Sequence, residues 1–447
     1  MNEKLKQVCK KAAEIILSYP NDTRIRVISH YDADGISAAA IISKALYRLG
    51  YDFHTTLMRN PFDKGLERVL KEENEIVIYS DMGSGQIETI EKMKSKAIII
   101  DHHQVRKDKT NDNVIQINCN LFDINGNYEA CGSTLAYLFA NELDKKNIDL
   151  SDIAIVGMTG DKQYIGGFRG LNKEIIDTAV KNKIVRKKTA IKLDGKNIFD
   201  ALYYSIDPYY SGLSGNRSEI LNLLEKYQID KEKRFDELTK EEQKNLQSHL
   251  MLILLKKGCE KNILDTVIRP RYYINFFNYE SEAFADLLDS CGKGGNRGIG
   301  FSTAFGDEKS LSEAIEFEKE YKEKILKELV RLETQGFKET EGFRYFYTEG
   351  SSIGGVIGGI ATNFILDIKK PLISIVKNKN EIHVSCRGNQ DLVKKGLDLG
   401  YAMSEAAKKL NGHGGGHAIA SGATIALEKE KEFLEIVDKI IVKQIKG

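Results

Sequence analysis

The chain has 447 residues, of which 41% are apolar and 29% charged, as expected for a soluble protein of two or three domains. Its 66 basic and 65 acidic residues leave a net charge of +1, so any nucleic-acid partner must be held by local basic patches. The six cysteines lie far apart with no Cys-x-x-Cys pair, which argues against a zinc knuckle or disulfide scaffold and favours a reducing cytoplasm. No run approaches the roughly 20 apolar residues of a membrane span, so no membrane association is expected.

The first 118 residues are predicted to form an amphipathic helix and then an alternating series of strands and helices. Residues 1–19 place their apolar side chains on one helical face. Alternation with short loops predicts a parallel sheet covered by helices on both faces. The predicted strands lie near residues 24–29, 53–58, 75–80, 97–101 and 114–118, and the predicted helices near 35–49, 62–72 and 84–95.

Three of these strands end in acidic or imidazole side chains. The carboxyl ends of parallel strands meet in one crevice of an open sheet, so these side chains are expected to converge. Carboxylates and imidazoles together suit a divalent metal, although an Asp-x-Asp-Gly turn alone is also a common solvated turn. The residues at these strand ends are His30, Asp32, Asp34, Asp81, Asp101, His102 and His103.

Two helices are predicted between residues 130 and 161. The first opens at the segment 130–134, Ala-Cys-Gly-Ser-Thr, whose backbone amides could hold an anion or could simply be capped by a hydroxyl side chain. The second covers residues 151–161 and reads as buried until it reaches Asp161.

The middle of the chain carries two basic features. Residues 181–196 contain seven cations, which indicate either a solvated helix face or a strip that follows phosphates. Residues 197–310 look mostly helical. Within them, the glycine-rich segment 289–298 places Lys293 and Arg297 on a flexible backbone, which suits contact with a phosphodiester.

The last third is predicted to be a long helix, Leu311 to Glu333, followed by a smaller α/β unit over residues 343–447. A strand near 381–386 leads into Arg387. The later segment 412–417, Gly-His-Gly-Gly-Gly-His, lets a ligand approach the backbone closely while His417 reaches it.

These motifs resemble the DHH phosphoesterase superfamily, named for the triplet Asp101-His102-His103, and within it the RecJ-like exonucleases, especially the archaeal ones. The resemblance spans most of the chain and implies an α/β fold with an N-terminal doubly wound parallel sheet. The Gly-Gly-Gly-His segment resembles the hallmark of the DHH-associated C-terminal domain, and residues 385–388 resemble its phosphate-binding strand end. One departure is Lys293, which stands where an arginine is usual, so bidentate phosphate contact is not expected there.

The resemblance also implies roles for individual residues. His30, Asp32 and Asp81 would hold one metal ion, with Asp81 bridging to a second ion. Asp101 would orient an imidazole, and His103 would face the scissile phosphate. The ligands of the second ion would be Asp34, Asp81, His102 and Asp161. The substrate-binding set would be Arg387, His417, Gly415, Gly416, Lys293 and Arg297. Two divalent ions are implied, with manganese preferred and magnesium as the alternative.

The function implied is a single-strand DNA or RNA exonuclease acting in replication, repair or RNA turnover. The alternatives are a small-substrate phosphodiesterase for oligoribonucleotides or cyclic dinucleotides, and a non-catalytic replication scaffold. A pyrophosphatase is disfavoured by the short His-x-Asp-x-Asp spacing. Family analogy alone suggests a replisome or repair-helicase partner. The predicted division is a catalytic domain over 1–195, a helical insertion over 196–310, a linking helix over 311–336 and a substrate-binding domain over 337–447.

Overall fold

The computed structural model describes residues 2–59, 64–350, 353–367 and 369–446. The chain forms two compact units, Met1–Ala190 with Arg269–Glu318 and Ile191–Ile268 with Lys319–Gly447. The boundaries of these units differ from those of the predicted catalytic domain, helical insertion, linking helix and substrate-binding domain. The division into those four segments stays a prediction. Within the described ranges, no helix combines the length and the apolar character that crossing a bilayer requires.

The first part of the chain is the predicted alternation of strands and helices. Residues 60–63 lie outside the described residues, and they include the predicted start of the helix near 62. The elements are α1 Glu3–Ser18, β1 Ile25–His30, α2 Ala33–Arg48, β2 Phe53–Met58, α3 Lys64–Lys71, β3 Ile76–Ser80, α4 Ile87–Ile90, β4 Lys96–Asp101, β5 Val114–Asn118, α5 Gly132–Leu143, α6 Ser151–Gly160, α7 Gly170–Lys181 and β6 Val185–Ile191.

All five predicted strands form one parallel sheet in the order β2-β1-β3-β4-β5, which confirms the predicted fold class. Every residue of β3 is buried, and β1 and β4 are buried except at one end, because helices cover both faces. The crevice between the ends of β1 and β3 is a point where strand order reverses, since β2 and β3 lie on opposite sides of β1.

The helix predicted over 84–95 is much shorter than expected. A 3₁₀ turn at Ser84–Gln86 leads into α4, which ends at Ile90. The next residue, Glu91, is held by the neighbouring loop, because its carboxylate accepts a hydrogen bond from the Asn111 amide at 3.0 Å and pairs with Lys107 at 2.7 Å.

The middle of the chain is mostly helical, as predicted, with one unpredicted strand. Its elements are α8 Ile198–Tyr203, α9 Arg217–Lys226, α10 Lys240–Lys256, α11 Lys261–Val267, β7 Ile268–Ile274, α12 Ser281–Gly294, α13 Arg297–Phe305 and α14 Glu308–Gln335. The strand β7 pairs with β6 in a two-stranded sheet, so residues 185–191 of the basic run are a strand and not a helix face. The predicted long helix is α14, and the boundary between the two compact units falls inside it.

The C-terminal part is a mixed sheet with helices. Its elements are β8 Lys338–Glu339, β9 Arg344–Tyr347, α15 Gly354–Phe364, β10 Leu372–Lys377, β11 Glu381–Arg387, α16 Gln390–Lys394, α17 Leu399–Lys409, β12 His413–Gly416, β13 Ala420–Ala426 and α18 Glu430–Lys446. The strand order is β12-β13-β11-β10-β9-β8. The glycine-rich segment 412–417 therefore contributes the edge strand β12.

Candidate metal centre

The ends of β1, β3 and β4 bring carboxylates and imidazoles into one cluster. Atoms of His30, Asp32 and Asp81 that could bind a metal lie within 4.8 Å of one another. A second set with the same spacing contains Asp34, His102 and Asp161. The six residues predicted as metal ligands are thus brought together, while their roles as ligands stay predictions.

Asp81 lies between the two sets and directs a different oxygen to each. Its Oδ2 is 3.5 Å from Nδ1 of His30, and its Oδ1 is 3.2 Å from Nε2 of His102. The residue adopts a φ of 53°, in the left-handed region that costs a non-glycine residue energy. Its amide donates to the Ile100 carbonyl at 2.8 Å, which holds this turn against β4. The backbone is thus shaped to project this carboxylate between the two imidazoles.

The carboxylate of Asp34 occupies the N-terminus of α5. Its Oδ2 accepts a hydrogen bond from the Gly132 amide at 2.6 Å, and its Oδ1 accepts one from the Ser133 amide at 2.9 Å. The sequence left open whether these amides bind an anion or are capped by a hydroxyl. In the structure these amides bind an anion, which is the carboxylate of Asp34. The positive end of the helix dipole favours its negative charge.

Two glycines make room for Asp34. A Cβ on Gly132 would lie 2.9 Å from Oδ2 of Asp34 and 2.7 Å from Cβ of Asp81. A Cβ on Gly157 of α6 would lie 2.5 Å from Oδ1 of Asp34 and 2.1 Å from Oγ of Ser133. Both glycines therefore permit two helices to close around a buried carboxylate.

The tautomer of His102 follows from its partner. Its Nδ1 lies 2.7 Å from the Gly126 carbonyl oxygen, which can only accept, so Nδ1 carries the proton. The Nε2 atom then faces the carboxylates, at 3.9 Å from Asp34 and 3.8 Å from Asp161. An imidazole fixed by a backbone carbonyl on its far side is the usual arrangement of a metal-binding histidine.

Gln163 supports this part of the cluster, a role that the sequence does not reveal. Its Nε2 donates to Asp161 Oδ2 at 3.1 Å and to the Gly126 carbonyl at 2.9 Å, the same carbonyl that fixes His102. Its Oε1 accepts from Asn172 Nδ2 at 2.5 Å. The only signal in the sequence is that the amide residues Gln163 and Asn172 follow Asp161 along the chain. Their presence does not by itself show that they are buried.

Both carboxylate oxygens of Asp101 accept hydrogen bonds, and one of these bonds fixes the imidazole of His103. One carboxylate oxygen accepts from Nδ1 of His103 at 2.7 Å, and the other accepts from the Ser84 amide at 2.9 Å. The His103 side chain is 57% exposed. The hydrogen bond between Asp101 and Nδ1 of His103 is the contact that the predicted orienting role of Asp101 requires.

The charges of the cluster fit divalent cations. Burial and the neighbouring charges of Asp81 and Asp161 raise the pKa of Asp34 to about 7. Burial also raises the pKa of Asp161. Nδ1 of His30 and Oδ1 of Asp81 are buried, and among the described residues neither has a hydrogen bond of acceptable geometry, although their ion-pair distances are short. Carboxylates that repel one another and inward-facing atoms without a hydrogen bond are what cations would stabilise.

Lys293 and Arg297 border this cluster, but they lie on helices and not on a flexible loop. Nζ of Lys293 pairs with one oxygen of Asp289, whose other oxygen accepts from the Ala33 amide at 2.8 Å. The Arg297 guanidinium lies 5.3 Å from the centre of the Tyr31 ring. One glycine of this segment serves packing: a Cβ on Gly292 would lie 1.8 Å from the Tyr31 carbonyl oxygen, whereas a Cβ on Gly298 would meet no described atom within 4 Å.

The remaining predicted substrate-binding residues meet at one end of the C-terminal sheet. Arg387 ends β11 and pairs with Ala420 of β13, while the His417 amide donates to the Ala420 carbonyl at 2.8 Å. Burial lowers the pKa of Arg387. A Cβ on Gly416 would lie 2.7 Å from Cα of Ser421, whereas a Cβ on Gly415 would meet no atom within 4 Å. The described structure therefore leaves space above the backbone at Gly415 but not at Gly416.

Replacing Gly157 by alanine is expected to disable the centre, because the new methyl group must displace Asp34 or Ser133. We expect loss of manganese binding in titration calorimetry and destabilisation by about 1 to 3 kcal/mol, the usual cost of overpacking. The matched control is Gly298→Ala on α13, where a Cβ meets no atom within 4 Å. Equal manganese affinity in the two variants would show that close packing around Asp34 does not shape the centre.

Comparison with known proteins gives the family. The description "DHH family, N-terminal domain" matches residues 24–160, and "DHHA1 domain" matches residues 343–443. An uncharacterized protein of Methanocaldococcus jannaschii is 35% identical over 457 residues, covering 100% of both chains. The described fold resembles exonuclease RecJ bound to manganese, with a TM-score of 0.61 at 15% identity over 97% of this chain and 94% of that one. It also resembles CDC45 from Entamoeba histolytica, with a TM-score of 0.63 at 15% identity over 98% of both chains. With both of its characteristic domains present, the chain belongs to the DHH/DHHA1 phosphoesterase family.

Proposed function

We propose that the protein is a metal-dependent exonuclease that hydrolyses single-stranded DNA or RNA to nucleoside 5′-monophosphates. The observation that carries this proposal is the position of Asp81, which offers one oxygen to each of two His/Asp sets. That arrangement suits a pair of divalent ions sharing one carboxylate. The fold shared with exonuclease RecJ supports the choice of reaction.

Each of the two ions would be held by one of the two His/Asp sets. His30, Asp32 and Asp81 would hold one ion, and the second would be held by Asp34, Asp81, His102 and Asp161. Bound divalent ions supply a nucleophilic water near neutral pH and neutralise the charge that builds on the phosphoryl oxygens. The mixed oxygen and imidazole donors favour manganese, with magnesium as the alternative.

The protein's own side chains would position the phosphate. Partial burial opposes protonation of His103, but the hydrogen bond and charge of Asp101 raise its pKa to about 9. With Nδ1 held by Asp101, the exposed imidazole would face the phosphate through Nε2. Lys293 and Arg297 add positive charge beside the cluster, and Arg387 and His417 are the candidates for holding phosphate on the C-terminal sheet.

Two other functions have to be separated from this one. A non-catalytic replication scaffold is the second candidate, and the fold is also shared with CDC45 from Entamoeba histolytica. A scaffold has no need of metal ligands, yet all six predicted ligands stand in the cluster. A hydrolase of oligoribonucleotides or cyclic dinucleotides would use the same centre and differ only in the length of its substrate. A partner in replication or repair stays a proposal from family analogy.

The test is to incubate end-labelled single-stranded DNA and RNA with the protein and manganese in water enriched in heavy oxygen. We expect nucleoside 5′-monophosphates that carry the label in the phosphate, because water attacks phosphorus and expels the 3′ oxygen. The labelled end that is released first gives the polarity of digestion. Cleavage of dinucleotides without cleavage of strands would favour the small-substrate hydrolase, and no hydrolysis at all would favour the scaffold.

A further inference from the structure

The longest run of unbalanced charge in the chain lies outside the metal centre. Between Lys181 and Lys192 the sequence has six cations and no acidic residue, although the whole chain is nearly neutral. The end of α7 and the strand β6 carry this run. We call residues 181–188 the basic ribbon.

The cations of the basic ribbon are exposed and are not neutralised by the protein. Arg186, Lys187 and Lys188 are all exposed, and within the described ranges none of them has an ion-pair partner. Arg186 donates to the Asn278 side chain at 2.7 Å, which leaves its charge unbalanced. On a strand, Arg186 and Lys188 point to the same side and repeat at roughly 6.6 Å, a spacing comparable to that of successive phosphates in an extended strand.

A series of side-chain contacts joins the basic ribbon to the metal centre within the same compact unit. The Tyr164 ring, which follows Asp161 and Gln163, lies 6.5 Å from the Phe168 ring. The Phe168 ring lies 5.6 Å from that of Tyr272 on β7, and Nζ of Lys187 lies 6.0 Å from the same Tyr272 ring. The ribbon is therefore supported by the segment that also holds a predicted metal ligand.

An exposed aromatic side chain belongs to the turn that supports the metal centre. Tyr128 is 51% exposed, and the Arg169 guanidinium lies 6.0 Å from the centre of its ring. Tyr128 follows Gly126, whose carbonyl fixes both His102 and Gln163, while Arg169 immediately precedes α7. An exposed ring beside a guanidinium is a suitable platform for stacking a base, and a cationic strip beyond it suits a phosphate backbone.

We propose that the basic ribbon, together with Tyr128 and Arg169, binds the part of a single nucleic-acid strand that lies outside the metal centre. This inference rests on the proposed exonuclease function and names its substrate class as a polymer, because a dinucleotide held at the metal centre has no further phosphates to place on the ribbon. The ribbon then keeps the strand bound while the end is hydrolysed.

The experiment compares two triple variants of the full chain with the same change in charge. The test variant is Arg186→Gln, Lys187→Gln and Lys188→Gln. The control is Lys4→Gln, Lys6→Gln and Lys11→Gln, which removes three exposed lysines from α1 of the same compact unit. Binding of a labelled strand of about 16 nucleotides is measured by fluorescence anisotropy in chelator across a salt series, so that no hydrolysis is needed.

We expect the test variant to bind the strand about 10-fold more weakly and to lose about 2 units of the slope of log affinity against log salt, since each single-strand phosphate contact contributes about 0.7. Its kcat/KM for a dinucleotide with manganese should stay within about twofold of wild type, as for distant independent sites. The control variant should bind like wild type.

Each other result has a definite meaning. Equal strand binding by the two triple variants would overturn the ribbon proposal, while strand hydrolysis would still support the exonuclease. Strand binding that depends on the ribbon without any hydrolysis would support the ribbon and reject the exonuclease. If polyglutamate of matched charge competes as well as the strand, the ribbon is a general polyanion surface and the nucleic-acid proposal fails.

Discussion

Replacing Asp81 by alanine should lower hydrolysis by about 10³-fold or more, because the loss of several kcal/mol of charge stabilisation corresponds to that factor. The variant removes an oxygen from each of the two His/Asp sets, so two bound cations would lose the carboxylate that offsets their mutual repulsion. Asp32→Ala removes a side chain from one set only, so its effect should be smaller. The rates are measured with end-labelled single strands and manganese.

A control is needed because Asp81 sits in left-handed backbone that alanine adopts less readily. Asp123 has a φ of 58°, close to the 53° of Asp81, and its side chain is exposed. Asp123→Ala should therefore reproduce the backbone cost without touching the centre, and it should keep normal activity. Retention of a tenth or more of wild-type activity by Asp81→Ala would remove the shared-carboxylate account, whatever the control does.

The second large effect is expected at Arg387. Arg387→Ala should raise KM by about 10- to 100-fold with little change in kcat, because a hydrogen bond to a charged group contributes about 1.5 to 3 kcal/mol to binding. It should also lower the salt dependence of strand binding by about 0.7, which corresponds to one phosphate contact. Steady-state kinetics on a labelled single strand measure KM and kcat, and anisotropy measures the salt slope.

Lys379→Ala, which removes an exposed cation from the same C-terminal sheet region, is the matched control and should leave KM unchanged. Deleting everything after Gln335 is a less suitable test, because residues 191–268 fold in one compact unit with residues 319–447. Such a deletion would break that unit and confuse unfolding with loss of phosphate binding. An unchanged KM in Arg387→Ala would end the proposed role of this arginine.

The parallel sheet and five of the six clustered residues could be predicted because strand ends carry them, whereas Asp161 ends the helix α6 and was assigned through the family resemblance. Apolar runs that stop at His30, Asp81 and Asp101 specify both the buried strands and the crevice in which their ends meet. The pattern could not show which residues from distant segments of the chain hold the clustered side chains in place. The Gln163 amide and the α5 amides that hold Asp34 act through folding contacts that leave no local periodicity.

Two glycine-rich segments show what the sequence pattern could not distinguish. The segments 289–298 and 412–417 are rich in glycine, which the sequence reading took as flexibility or ligand access. In the structure Gly292 allows α12 to approach Tyr31, and Gly416 allows β12 to approach β13. A glycine that admits a neighbouring backbone and a glycine that admits a ligand look alike in a sequence. The helical conformation considered for the basic run was wrong over residues 185–191, since charged residues on an exposed strand show no apolar alternation.

The measurement that tests the central claim most directly is the number of manganese ions bound per chain in titration calorimetry, for wild type and for Asp81→Ala. Two sets of ligands that share one carboxylate predict two ions per wild-type chain, and weak or absent binding at both positions in the variant. One ion per wild-type chain, or two ions still bound tightly by Asp81→Ala, would contradict the account of a two-ion centre built around Asp81.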